Sequence, residues 1–274
     1  RWLVSLFFLC APHALGQDSP AKATLSDDAG HESSADESPE FLDSYRATAT
    51  KKWQQAIGAL DQRNASEENP ADAILFIGSS SIRRWDSMAT DMAPYRTIQR
   101  GYGGAKYSDL AVFATRLIQP HQYRALVSFV GNDVSGKPED HTTDEVERLV
   151  RYVIDVSHKH QPHAPVLLIE VTPTEKRFEV WPRIRDVNAR LREIALSTPN
   201  TYFIATAGHF LDPTGYPRSE LFVEDRLHLN SDGYQLWSDL IRRRLDEVIR
   251  ATAEFEARRT TESESDQSSP PSRR

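Results

Sequence analysis

Residues 74–81 read Ile-Leu-Phe-Ile-Gly-Ser-Ser-Ser, and this stretch decides the fold. An unbroken aliphatic and aromatic run, with no polar residue alternating through it, fits a short strand buried on both faces. A glycine and a serine cluster then end it abruptly. Working outward, further strand candidates lie at roughly Arg96–Gln99, Ala125–Val130, Val166–Val171 and Tyr202–Ala205, most of them apolar runs as well. Helical periodicity separates them. Thr142 followed by Glu145 suits a capping box, after which Val146, Leu149, Val150, Val153 and Ile154 make one apolar face. A second helix from about Val180 carries Ile184, Val187, Leu191 and Ile194. The last, from about Ser231, carries Leu236, Trp237, Leu240, Ile241, Leu245 and Val248, and a further helix from Phe41 to about Leu60 leads into the first strand. Strands alternating with helices predict an α/β fold, a three-layer α/β/α sandwich around a mostly parallel sheet.

The two ends read differently. Residues 1–16, RWLVSLFFLCAPHALG, combine a basic start, an apolar run from Leu3 to Ala11 and a small-residue exit near Ala14 and Gly16, the pattern of a signal peptide. That run is too short to span a bilayer, so export to a periplasm or the outside is expected, without stable membrane insertion. Residues 17–40 are acidic and rich in Ser and Ala. They read as a disordered linker, and residues 255–274 as a disordered polar tail, because neither buries enough apolar surface to offset the entropy of ordering. A single domain over 41–254 remains. With 33 Lys plus Arg against 40 Asp plus Glu, the formal charge of −7 offers no basic field for nucleic acid. One cysteine, Cys10, excludes an internal disulfide framework and a thiolate metal cluster.

In open α/β sheets, sites form beyond the C-terminal ends of the strands. Gly78-Ser79-Ser80-Ser81, Arg100-Gly101-Tyr102-Gly103-Gly104 and Gly131-Asn132-Asp133 each follow a strand, and Asp225-Arg226-Leu227-His228 precedes the last helix. Singly these are turns and caps. Together they supply a hydroxyl, a base, a carboxylate to orient the base and donors for a developing oxyanion, which are the parts acyl transfer needs. The serine cluster lacks the lysine and spacing of a Walker A phosphate loop. His121, His141, His158, His160, His163 and His209 show no metal-ligand spacing.

The four segments resemble the blocks of the SGNH, or GDSL-like, hydrolase superfamily of esterases and lipases. Gly78-Ser79-Ser80 with Trp85 matches the first block, Gly104 the oxyanion glycine of the second, Asn132 the asparagine of the third, and Asp225 with His228 the Asp-x-x-His of the last, over about residues 72–248. The resemblance implies a flavodoxin-like sheet, Ser80 as nucleophile, His228 as base and Asp225 as its orienting carboxylate. It implies an oxyanion hole from Ser80, Gly104 and Asn132, and no metal or organic cofactor. Two positions depart from the family pattern. Ser79 stands where an Asp is usual, and Val130 stands two places before Asn132 where Gly is usual.

The expected substrate is a small-molecule or carbohydrate ester with a short acyl or acetyl group. The 172–182 and 207–224 connections would shape the pocket, with Tyr102, Arg83 and Phe222 as candidate contacts. A lipid acylhydrolase, a sugar acyltransferase on the same triad, and a catalytically silent exported carbohydrate-binding protein are the alternatives.

Overall fold

The computed structural model describes residues 39–267, with side chains as far as Phe255. The signal-peptide stretch 1–16, nearly all of the linker 17–40 and the last residues of the tail lie outside the described residues. Five parallel strands, β1 (Ile74–Gly78), β2 (Thr97–Gly101), β3 (Ala125–Phe129), β4 (Val166–Ile169) and β5 (Thr201–Ile204), form one sheet in the order β2-β1-β3-β4-β5. From β1 the chain steps to β2 on one side and then returns to β3 on the other. The β1/β3 boundary is therefore the point where the winding direction reverses, and the crevice above it is where such sheets bind ligands.

Both faces of the sheet are covered, which explains the unbroken apolar runs. Leu75, Ile77, Leu126, Val166 and Leu168 pack into one core with α1 (Asp43–Ser66), α4 (Tyr107–Val112), α5 (Ala114–Ile118), α6 (Thr143–His160) and α7 (Trp181–Ser197). Their alternating neighbours Ile74, Phe76, Val127, Leu167 and Ile169 pack into a second core with α2 (Ser80–Arg83), α3 (Met88–Asp91) and α8 (Ser231–Gln267). A strand has two faces at period two, and here each meets helices.

The capping box at α6 is present: the Thr142 hydroxyl accepts from the Glu145 amide at 3.2 Å, and the Glu145 carboxylate accepts from the Thr142 amide at 2.7 Å. Several boundaries move; β3 and β4 stop at Phe129 and Ile169, short of the expected Val130 and Val171, and β5 starts one residue earlier, at Thr201. β2 extends to Gly101 because Arg100, polar by type, is 0% exposed. Its guanidinium is satisfied by Asn64 at 2.7 Å in the last turn of α1 and by Glu67 at 3.0 Å and Asn69 at 3.1 Å just beyond it. α1 itself runs on to Ser66 rather than ending near Leu60. The tail expected to be disordered from 255 is instead helical as far as Gln267. Arg250–Phe255 contains neither Gly nor Pro, and a helix already nucleated extends at little cost through such residues.

Candidate active site

Gly78 begins the construction. Its φ is +144°, and a Cβ there would lie 2.0 Å from the Phe129 carbonyl oxygen at the end of β3. Only glycine allows β1 to leave the sheet this close to β3. The Ser79 amide then donates to that same carbonyl at 3.0 Å. The chain turns at once into α2, and Ser80 is its first residue, at the mouth of the crevice. Ser79, where the family pattern has Asp, is 1% exposed.

At the far end of the chain, Phe222 and Leu229 pair across an antiparallel bridge, and the Val223 amide donates to the His228 carbonyl at 2.9 Å. Residues 222–229 are therefore a small hairpin whose tip carries Asp225 and His228. One Asp225 oxygen, Oδ1, accepts from the backbone amides of Leu227 and His228, both at 2.9 Å. The other, Oδ2, faces His228 Nδ1 at 2.7 Å. Across the crevice His228 Nε2 lies 2.9 Å from Ser80 Oγ. Burial alone would raise the Asp225 pKa, but the His228 and Leu227 amides and the adjoining imidazole outweigh it and hold the carboxyl well below the usual carboxylate range.

Asn132, beyond β3, is held at both ends of its side chain. Its Oδ1 accepts from Arg177 Nη2 at 2.6 Å, and its Nδ2 donates to the Ala105 carbonyl at 3.0 Å. A guanidinium can only donate and a carbonyl can only accept, so the two contacts agree on which end of the amide is which. One Nδ2 hydrogen remains. Gly104 is adjacent: a Cβ built on it would lie 3.8 Å from Asn132 Nδ2. The Arg177 Nη1 also donates to the Gly131 carbonyl.

Arg177 lies in the 3-10 turn Glu175–Val180 after β4, a segment expected only to shape the pocket. No periodicity marks it; its place beyond a strand's C-terminal end was the one available signal. Thr172 and Thr174 in the same connection, each 7% exposed, line the cleft, and their hydroxyls have no partner among the described residues.

The cleft beside Ser80 measures about 430 Å³, with Phe129, Val171, Phe222 and Trp237 among its walls. Of the three candidate contacts, Phe222 lines it. Tyr102 does not: it is 1% exposed and packs edge-on against Trp53 at 5.3 Å and Phe113 at 6.4 Å, a core residue. Arg83 is exposed and lies outside the cleft, and the next residue, Arg84, reaches Asp225 instead, at 3.4 Å. Trp85 is 0% exposed and joins α2 to α8, stacking on Tyr234 at 5.3 Å and donating to Asp91 at 2.7 Å. Tyr234 in turn donates to the Ser81 carbonyl at 2.9 Å. Among the described residues, no three His, Cys, Asp or Glu side chains converge as metal ligands, and no helix is long and apolar enough to cross a membrane.

No curated protein matches the chain by sequence. Solved structures do match in fold. A Streptococcus pneumonia protein named for platelet activating factor superposes with a TM-score of 0.61 at 19% identity, over 76% of this chain and 96% of that one. A GDSL-like lipase from Bacteroides thetaiotaomicron gives 0.59 at 17% identity, over 70% and 97%. An acetyl xylan esterase gives 0.52 at 24% identity, over 62% and 97%. At these identities the likeness is one of fold. The model of the GDSL-like lipase/acylhydrolase family matches residues 71–236, from just before β1 into the start of α8, and so takes in every segment of the crevice. The chain therefore belongs to that family, within the SGNH hydrolase superfamily, whose members are esterases and lipases.

Proposed function

We propose that this chain is a serine ester hydrolase that removes short acyl groups, acetyl foremost, from carbohydrate hydroxyls. The observation that carries the reading is the unbroken line from Ser80 Oγ to His228 Nε2 at 2.9 Å and from His228 Nδ1 to Asp225 at 2.7 Å. His228 takes the Ser80 proton as Oγ attacks the ester carbonyl carbon. The carbonyl oxygen gains charge and is met by the amides of Ser80 and Gly104 and by the remaining Nδ2 hydrogen of Asn132. Collapse of the tetrahedral species breaks the bond to the alcohol oxygen, which leaves with the proton from His228. Water, deprotonated by the same imidazole, then attacks the acyl-serine and frees the acid. Asp225 holds the imidazole in the tautomer with its proton on Nδ1. No step calls on a cofactor.

The modest cleft beside Ser80, with Phe129, Val171, Phe222 and Trp237 among its walls, supports a short acyl group, and the fold likeness to an acetyl xylan esterase makes sugar acetates the first natural substrates to try. Residues 1–16 are what supports export.

The test is hydrolysis of p-nitrophenyl acetate, butyrate and octanoate by the full chain and by Ser80→Ala. Activity that falls with acyl length and vanishes in the variant is expected. A fully active Ser80→Ala would overturn the nucleophile assignment. An ester product formed with an added alcohol acceptor, in place of free acid, would make the protein a transferase.

A further inference from the structure

Beside the Ser80 cleft lies a second, larger groove of about 840 Å³, which shares Asn132, Arg177 and Leu227 with it. Its charge is opposite to that of the chain as a whole. Lys52, Lys106, Lys137, Lys176 and Arg177 line it against one carboxylate, Glu139. The chain has seven lysines in all, and four of them are here. They arrive from four separate segments: α1, the start of α4, the loop after β3 and the turn after β4. A basic run in the sequence cannot account for such a gathering.

Two acidic residues of the same loops are already engaged. Asp140 has a side chain 1% exposed, accepts from the Ser135 and Gly136 amides and pairs with Arg183, while Glu175 pairs with Arg226. None of the four lysines forms an ion pair among the described residues. The Lys106 ammonium rests on the Glu139 backbone carbonyl, and that of Lys52 lies 4.6 Å over the Trp53 ring. In a protein of net charge −7, a groove of unneutralised cations opening beside a nucleophile attracts anions locally.

We infer that the groove receives the alcohol half of the ester, and that this half is an acidic sugar carrying a carboxylate or a phosphate. The inference rests on the hydrolase reading above and adds its substrate class. The cleft beside Ser80 takes the acyl group. The leaving oxygen must face His228, and Leu227, the residue before it, is in the groove wall. Separate ammonium groups act as point charges, suited to a phosphate or a carboxylate without demanding a two-pronged fit.

Binding tests this apart from turnover. Calorimetry on full-chain Ser80→Ala would compare methyl glucuronide and glucose 6-phosphate with uncharged methyl glucoside, at low salt and at about 0.5 M salt, where screening reaches only a few ångströms. The anionic sugars are expected to bind at least tenfold more tightly than the glucoside and to lose that margin in high salt. The two anions against each other identify which charge the groove prefers. In the same background Lys137→Glu/Lys176→Glu, both at exposed positions, should abolish the margin, and Lys137→Met/Lys176→Met should reduce it. Equal binding of charged and uncharged sugars, or a margin that survives charge reversal, overturns the inference. Failure of the hydrolase reading looks different: the wild type would hydrolyse no ester while the anion preference persisted.

Discussion

Arg177 donates to both Gly131 and Asn132, and its replacement by Gln would test whether the proposed oxyanion donor is held from behind. The hydrogen bond to Asn132 is charge-assisted and 2.6 Å long, and losing a bond of that kind costs about 1.5–3 kcal/mol. The asparagine amide would then be tethered only through Nδ2 to Ala105, free to rotate away from the carbonyl it must meet. Complete loss of one oxyanion donor costs roughly 3 kcal/mol of transition-state stabilisation, about a hundredfold in kcat, and that is the ceiling. Because the Ala105 contact survives, Arg177→Gln should lower kcat about ten- to hundredfold on p-nitrophenyl acetate, a substrate too small to depend on the groove, with KM little changed. The decisive assay is the double-mutant cycle with Asn132→Ala. If Arg177 acts by positioning Asn132, its loss costs nothing further once the amide is gone. Equal losses in both backgrounds would refute the reasoning and leave Arg177 acting by some other route.

Three further outcomes are expected. Asp225→Asn should lower kcat about a thousandfold or more with the fold intact: two backbone amides hold Oδ1, so the new NH2 must face His228 Nδ1 and drive the imidazole proton onto Nε2. Steady-state kinetics alongside circular dichroism would check it. Gly78→Ala puts a methyl group 2.0 Å from a backbone oxygen and should cost about 3 kcal/mol or more in urea unfolding, or prevent folding. His121, 1% exposed, is pushed down from 6.5 to about 4 by burial and by the Arg100 charge. The unfolded chain therefore binds a proton near pH 6.5 that the folded chain refuses until about pH 4. Stability from this histidine is complete above pH 6.5 and drains by about 3 kcal/mol as the pH falls between the two values, and His121→Gln should flatten that slope in urea titrations.

Much of the fold was legible because its signals are local. β1 and β4 bury uninterrupted apolar runs, and the α6 capping box needs only Thr142 and Glu145 three residues apart. Asp225 and His228 were readable for the same reason, since three residues of separation put both on one hairpin tip. What escaped depends on distant partners. Arg100 reads as a strand end until Asn64, Glu67 and Asn69 come round to satisfy it. Arg177 lies in an irregular turn, 45 residues from the Asn132 it holds. Tyr102, beside Gly103 and Gly104 in sequence, looks like a site residue until Trp53 from α1 closes over it. The lysine groove is invisible in a chain whose overall charge is negative.

The serine and the imidazole that faces it are 148 residues apart and belong to different parts of the architecture. Ser80 is fixed by β1, a fully buried strand, whereas His228 and Asp225 ride on a surface hairpin anchored by α8, which is docked through Trp85, Tyr234 and Trp237. Peripheral elements of a domain can open without the centre melting. Undocking the last helix would carry the proposed base, His228, away from an otherwise intact sheet. Turnover therefore reports on the seating of α8, and on heating it should fail at a lower temperature than the sheet itself.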